Sequence, residues 1–170
     1  MKMIGLKTAV LLACSAKMGA LIAGASAAEA DALYDYGYKL GLAFQVADDW
    51  LDAYGDEKVF GKPIGGDIVN NKKCWLTTRA QEKLRAASDD AAMLRLKAAM
   101  AMPVGSPEER EAKIAAVRDI YDSLSVGEDA RAEIEKLTEE AMRAVDCLNP
   151  GKLRREMLAR YAFALVGRTR

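Results

Sequence analysis

Glycine and proline divide the chain into long segments whose apolar positions follow the period of a helix. No segment alternates in the way that indicates a β-strand, and no repeat or low-complexity linker interrupts the pattern. The predicted fold is therefore all-α. The predicted helices run from the N-terminus to about Ala25, from about Ala28 to Tyr54, over 73–87, over 89–101, from Pro107 to near Gly127, from about Glu128 to Leu148, and on to Gly167.

Between these helices, residues 55–71 are rich in glycine and are predicted to form a loop. Ser106, Pro107 and Glu109 predict an N-cap, a first-turn proline and a capping-box acid. Residues 149–151, Asn-Pro-Gly, break the chain before the last helix. One predicted apolar stripe consists of Ile134, Leu137, Ala141, Val145 and Leu148. The predicted buried face of the last helix consists of Leu153, Met157, Tyr161 and Leu165, and Gly167 is its predicted C′ residue.

Length and charge narrow the class of protein. The 170 residues are 51% hydrophobic, which is enough for one domain over residues 1–170. Basic and acidic residues number 25 each, so no general field attracts nucleic acid. The chain has no histidine, which excludes histidine bases and imidazole-zinc sites. Three widely spaced cysteines favour a reducing compartment, and we predict a cytoplasmic protein.

The N-terminus imitates a secretory signal, because an apolar run over residues 9–16 follows a basic residue. Lys7 and Lys17 bracket this run, which leaves it far short of the ~20 residues that a membrane span needs. We therefore predict an internal helix and no stable membrane span.

The most informative chemistry lies near the end of the second predicted helix. Gln45, Asp48, Asp49 and Asp52 follow a spacing of three and four, so one stripe carries three carboxylates. Like charges one turn apart repel each other, and a bound cation would offset that repulsion. A ligand set that contains only oxygen favours Mg²⁺ over zinc.

Two lysines lie beyond this stripe on the glycine-rich segment. Lys62 and Lys72 could each reach a phosphate that the metal also touches. Carboxylates, a hard metal and lysines together suggest that the ligand is a diphosphate.

These motifs resemble those of the trans-polyprenyl diphosphate synthases. Residues 44–52 read F-Q-V-A-D-D-W-L-D, residues 61–67 read G-K-P-I-G-G-D, and Lys72 follows. This order is that of the family's second aspartate-rich region. Further similarity lies in Lys7-Thr8 followed by Gly19-Ala20, and in Leu158, Leu165, Gly167 and Arg168 near the C-terminus.

The resemblance implies an antiparallel helical bundle of the isoprenoid synthase type and a reaction that condenses isopentenyl diphosphate with an allylic diphosphate. It implies that Asp48, Asp49 and Asp52 bind Mg²⁺. It further implies the following roles: Lys7, Lys62, Lys72 and Arg168 on the diphosphates, and Thr8 and Gln45 as oxygen dipoles beside a developing allylic cation. Phe44 is equally consistent with a core position and with a place in the site, and Arg168 with an unattached tail.

The chain also departs from the family pattern. Cys74 and Leu76 stand where the family usually has threonine and proline. A first aspartate-rich motif upstream is absent, and Asp89-Asp90 lacks a third aspartate four residues on. The chain therefore resembles the C-terminal half of a synthase. We expect it to be inactive alone and to associate with itself or with a missing N-terminal half.

Two other functions are compatible with the same residues. One is a non-catalytic subunit that completes a site only with a partner chain. The other is a class I terpene cyclase, which shares the metal chemistry but fits the segment from Lys62 to Lys72 poorly.

Overall fold

The computed structural model describes residues 1–56, 61, 63–146, 148 and 152–167. These residues form helices and contain no strand, which confirms the predicted all-α class. The helices are α1 (Lys2–Ile22), α2 (Ala27–Tyr54), α3 (Gly66–Val69), α4 (Trp75–Ala86), α5 (Asp90–Met100), α6 (Pro107–Ser123), α7 (Val126–Asp146) and α8 (Lys152–Val166). Two compact units are present, Met1–Ala47 with Arg131–Arg170, and Asp48–Ala130.

In the first unit, α1 and α2 approach each other closely through small residues. A Cβ atom on Gly41 would lie 2.5 Å from the Cα atom of Ala9, and one on Gly37 would lie 2.9 Å from that of Ala13. Glycine at both positions therefore permits the contact, because any side chain would force the two helix backbones apart.

The core of this unit joins α2 to α7 and α8. Its buried residues are Tyr36, Leu40, Ala141, Val145 and Ala162. The hydroxyl of Tyr36 donates a hydrogen bond of 2.8 Å to the carbonyl of Leu158, so the buried phenol is satisfied. The predicted stripe on α7 is confirmed from Ile134 to Val145, with Leu148 partly buried.

The predicted buried face of α8 is wrong at two positions. Met157 is 63% exposed and Tyr161 is 52% exposed, whereas Ala162 and Val166 are buried and Leu165 is partly buried. Ala162 belongs to the buried cluster around Tyr36, and Leu158 and Leu165 pack against that cluster. The side chain of Leu153 and residues 149–151 lie outside the description.

α8 ends at Val166, beside the predicted C′ residue Gly167. The glycine does not adopt the left-handed conformation that a C′ residue usually has.

The boundary between α6 and α7 differs from the prediction. Ser125 adopts a left-handed conformation with φ of 51°, and α6 already ends at Ser123. Gly127 lies in the first turn of α7, where a Cβ atom would approach the ring of Tyr54 to 3.2 Å. This glycine therefore makes room for an aromatic ring and does not terminate a helix.

The remaining boundaries agree with the predictions. Ser106 caps α6 by accepting a hydrogen bond of 3.2 Å from the Glu109 amide, and Glu109 accepts one from the Gly105 amide. The predicted loop contains the additional short helix α3.

α1 presents a largely apolar outer surface. Its exposed large residues are Met3, Leu6, Leu11, Met18, Leu21 and Ile22. By length and composition α1 could cross a membrane, a criterion that a core helix or an N-terminal signal also satisfies. The predictions of an internal helix and of self-association stay predictions.

Candidate functional site

The predicted aspartate stripe lies on the last turns of α2. Asp49 and Asp52 are 4% and 9% exposed, and Asp48 is half-buried. The C-terminal end of a helix carries partial negative charge, so three carboxylates there need partners of opposite polarity.

Backbone amides supply part of that compensation. Oδ2 of Asp49 accepts a hydrogen bond of 2.6 Å from the Trp75 amide, and Oδ2 of Asp52 accepts one of 2.8 Å from the Asp67 amide. Hydrogen bonds with an ionised acceptor are about twice as strong as neutral ones. The two carboxylates thus bind the backbone at Asp67 and at Trp75, on either side of Lys72. We call residues 63–74 the lysine loop.

Lys72 lies on the exposed side of the lysine loop. Its Nζ is 2.6 Å from Oδ1 of Asp67, and its side chain is 61% exposed. The hydrogen bond to Asp67 raises the pKa of Lys72 most, and the charges of Asp52 and Asp48 add to it. The ammonium therefore lies in the field of the stripe and stays protonated.

The two departures from the family pattern lie in the core. Burial raises the pKa of the Cys74 thiol. Its Sγ is 3.2 Å from Oγ1 of Thr77, which is 2.7 Å from the hydroxyl oxygen of Tyr121. Leu76 is also buried. Neither of these two side chains therefore lies on the exposed side of the lysine loop, where Lys72 lies.

Two basic side chains of α6 donate hydrogen bonds to oxygen atoms of the lysine loop. Arg110 donates a hydrogen bond of 2.5 Å to the Ile64 carbonyl. Lys113 donates to Oδ1 of Asn71 at 2.9 Å and to the Val69 carbonyl at 3.4 Å. These two cations were not among the site residues predicted from the sequence. The available signal was Lys113, which lies on the buried stripe of α6 beside Ile114.

The aspartates suit magnesium by the type of their donor atoms more than by the number of ligands that they provide. Among the described residues, no group of three histidine, cysteine, aspartate or glutamate side chains is arranged to hold a metal ion. Mg²⁺, however, is usually bound by one or two carboxylates together with substrate phosphates and water. Asp48, Asp49 and Asp52 supply only oxygen, and the charges of Asp52 and Asp48 act on Lys72, so the type of donor fits that mode.

The other unit contains a second polar group. Thr8 donates a hydrogen bond of 3.0 Å to Oε1 of Gln45, which is 8% exposed. The structure therefore brings these two predicted residues together. Lys7 and Thr8 lie in a π-helical turn, Gly5–Ala9, and such turns are frequent at functional sites. Lys7 is exposed and Phe44 is half-buried.

Two predicted phosphate ligands, Lys62 and Arg168, lie outside the described residues. Their roles stay predictions.

With this geometry in place, known proteins provide an independent comparison. The family model for polyprenyl synthetase matches residues 1–117. The chain belongs to the polyprenyl synthetase family. It is 36% identical to a short chain isoprenyl diphosphate synthase of Methanothermobacter thermautotrophicus, over 98% of this chain and 46% of that relative. It is 37% identical to a (2E,6E)-farnesyl diphosphate synthase of Mycobacterium tuberculosis, over 72% of this chain and 33% of that relative.

Solved structures of geranylgeranyl pyrophosphate synthases have a similar fold. A geranylgeranyl pyrophosphate synthase superposes with a TM-score of 0.85 at 35% identity, over 99% of this chain and 50% of that one. Another, from Corynebacterium glutamicum and complexed with isoprenyl diphosphate and magnesium, gives a TM-score of 0.75 at 31% identity, over 88% of this chain and 40% of that one. The chain thus spans half or less of the length of these family members.

Proposed function

We propose that this chain takes part in prenyl transfer, the condensation of isopentenyl diphosphate with an allylic diphosphate. The observation that carries the proposal is the lysine loop. Asp49 and Asp52 tie it to the end of α2, and Lys72 remains 61% exposed beside three carboxylates. An exposed ammonium next to oxygen ligands for a hard cation suits a magnesium diphosphate.

In this proposal the carboxylates of Asp48, Asp49 and Asp52 would hold Mg²⁺. When bound, the metal would supply Lewis acidity and a template for the departing diphosphate. Lys72 binds diphosphate oxygens and neutralises charge as the leaving group forms. The family resemblance assigns the same task to Lys62 and Arg168.

The resemblance assigns Lys7 to the allylic diphosphate, and Thr8 and Gln45 to the developing allylic cation. The observed hydrogen bond from Thr8 to Gln45 fixes both side chains, which limits their reorganisation during reaction. Phe44 could line the same region.

In the reaction the allylic carbon–oxygen bond breaks, and diphosphate leaves with the electron pair. The double bond of isopentenyl diphosphate then forms the new carbon–carbon bond, and one proton is lost. The family resemblance assigns the departing diphosphate as the base, which is consistent with a chain that has no histidine.

The length of the match supports the idea that activity depends on an additional polypeptide segment or partner chain. Relatives extend over about twice the length of this match, and the exposed apolar face of α1 suits a partner helix. A partner-dependent subunit is therefore the second candidate function. We propose self-association and a cytoplasmic location for the protein under either of these two candidate functions.

Calorimetry with magnesium pyrophosphate tests the first step of this proposal. We expect the full chain to bind it, and Lys72→Met to weaken binding at least tenfold, because a charge-assisted contact is lost. Lys136→Met is the matched control, since that exposed lysine lies on α7 and pairs with Glu133. Absence of binding by the unaltered chain would contradict the proposal.

An assay with labelled isopentenyl diphosphate and allylic diphosphates tests the chemistry. Activity of the chain alone would favour the enzyme. Activity that returns only with a separate synthase chain would favour the partner-dependent subunit.

A further inference from the structure

Lys113 is a buried cation that the reaction does not explain. Its side chain is 1% exposed, and its partners are Oδ1 of Asn71 and the Val69 carbonyl. Within the described part of the chain it forms no ion pair. Burial of an ammonium beside neutral oxygens costs free energy unless its hydrogen bonds compensate for the lost water.

The same face of α6 contacts the lysine loop at three points. Arg110, Lys113 and Ile114 share one helix face because they are three and four residues apart. Arg110 donates to the Ile64 carbonyl. Ile114 packs against Gly65, which has φ of +77°, and a Cβ atom there would lie 2.4 Å from Cδ1 of Ile114.

The two sides of the lysine loop thus bind opposite charges. Carboxylates of α2 accept hydrogen bonds from the amides of Asp67 and Trp75, while cations of α6 donate to loop oxygens. Every one of these bonds has an ionised partner, which strengthens it.

The contact with Asn71 bears directly on Lys72. Asn71 has φ of +52°, a left-handed conformation that is uncommon for residues other than glycine. Asn71 immediately precedes Lys72, so the φ and ψ angles of Asn71 set the direction of the backbone at Lys72. Lys113 bonds to the side chain of the residue whose backbone is strained.

We propose that Lys113 is a positioning residue for Lys72, and that with Arg110 it holds the lysine loop in the conformation that binds diphosphate. The proposal rests on the proposed function for its ligand. Its structural part, the control of the backbone at Asn71, is independent of that ligand.

The experiment compares Lys113→Met with Arg118→Met in the full chain. Arg118 lies on the same helix, but its guanidinium lies over the Tyr54 ring at 5.3 Å. We expect Lys113→Met to weaken magnesium pyrophosphate binding roughly tenfold, as loss of a supporting contact typically does. We expect faster amide exchange at Asn71 and Lys72 in this variant, and no change in either quantity for Arg118→Met.

A second substitution separates positioning from general stability. Asn71→Gly adopts a left-handed backbone at little cost. It also removes the Oδ1 acceptor of Lys113, as does Asn71→Ala, for which a left-handed backbone is costly. If the contact positions Lys72 through the backbone at Asn71, magnesium pyrophosphate binding should weaken roughly tenfold in Asn71→Ala and by less than about threefold in Asn71→Gly. An equal loss in both variants would show that only the lost hydrogen bond matters and would overturn the proposal.

The remaining outcomes also decide the question. Unchanged affinity and unchanged exchange in Lys113→Met would overturn it. If the unaltered chain binds no pyrophosphate, the proposed function fails, and amide exchange at Asn71 and Lys72 still decides the positioning role. If the methionine variant does not fold, Lys113→Gln, which retains an N–H donor, replaces it, and normal loop exchange with normal affinity would support the role of the donor.

Discussion

The two units fix their polar groups by different means. In the first unit, Thr8 and Gln45 meet because α1 and α2 are in close contact at Gly37 and Gly41. In the second, Lys72 is placed by a loop whose amides bind carboxylates and whose carbonyls bind cations. The first arrangement depends on shape, and the second depends on charge.

This difference predicts how each unit responds to substitution. A side chain forced between two packed helices disturbs the whole core, because protein interiors have little free volume. A charge removed from the lysine loop disturbs mainly that loop, because the surrounding helices keep their apolar contacts.

The largest effect is expected at Gly41. Gly41→Val places new atoms where a Cβ would already lie 2.5 Å from the Ala9 Cα atom. We expect the free energy of unfolding to fall by about 3 kcal/mol, as overpacking of a tight contact costs. Urea unfolding followed by circular dichroism measures it.

Gly19→Ala is the matched control on α1. A Cβ atom at Gly19 meets nothing within 4 Å. Alanine should therefore raise the free energy of unfolding by up to about 1 kcal/mol through helix propensity. Equal effects at Gly41 and Gly19 would show that the close helix contact is not limiting.

A smaller effect is expected at Asp49 in the second unit. Asp49→Ala removes the acceptor of the Trp75 amide, and we expect the free energy of unfolding to fall by about 2 kcal/mol. Asp49→Asn should lose less, because the amide oxygen can still accept. Asp35→Ala, at an exposed position of the same helix, should stay within about 0.5 kcal/mol of the unaltered protein. A loss at Asp35 as large as that at Asp49 would remove the argument for the Trp75 bond.

The same contrast explains what the sequence could predict. α2 was predicted from about Ala28 to Tyr54 and is observed from Ala27 to Tyr54. The prediction was accurate because a long periodic pattern ends at a glycine-rich loop. The start of α7 was missed because the left-handed residue is Ser125, and serine gives no local signal of that conformation. The face of α8 was partly wrong because its apolar residues surround the helix, so only packing against Tyr36 selects among them.

The candidate site shows the same limit. Its aspartates and Lys72 follow a local spacing, and the sequence therefore indicated them. Arg110 and Lys113 contact the lysine loop across separations of 46 and 44 residues. Such contacts arise only when the helices pack, and no local pattern encodes them. The backbone donors to Asp49 and Asp52 were missed for the same reason.

A third substitution tests whether a neutral hydrogen bond in the second unit is weaker than its charged ones. Tyr121 is fully buried, and its hydroxyl contacts Oγ1 of Thr77. Tyr121→Phe should lower the free energy of unfolding by about 1 kcal/mol, the usual net value of such a bond. Tyr34→Phe, at a half-buried position stacked on Tyr38, is the control and should change it by less than about 0.5 kcal/mol. A loss at Tyr121 above that for Asp49→Ala would reverse the proposed order of charged and neutral bonds.

The smallest effect is a pH dependence at Asp129. Burial raises the pKa of this carboxyl, but hydrogen bonds from Lys83 and Arg79 outweigh burial and lower it overall. Because the pKa in the folded state is below that in the unfolded state, the stabilisation is present at neutral pH. It is lost as the pH falls through the folded-state pKa.

Solvent screens this cluster, since the Asp129 side chain is 26% exposed, so we expect a contribution of only about 0.5 kcal/mol. Unfolding at pH 6 and at pH 3, compared between the unaltered protein and Asp129→Asn, measures it. The variant should lose less stability on acidification, because it lacks the titrating group. A steeper loss in the variant would show that Asp129 is not held ionised by its two cations.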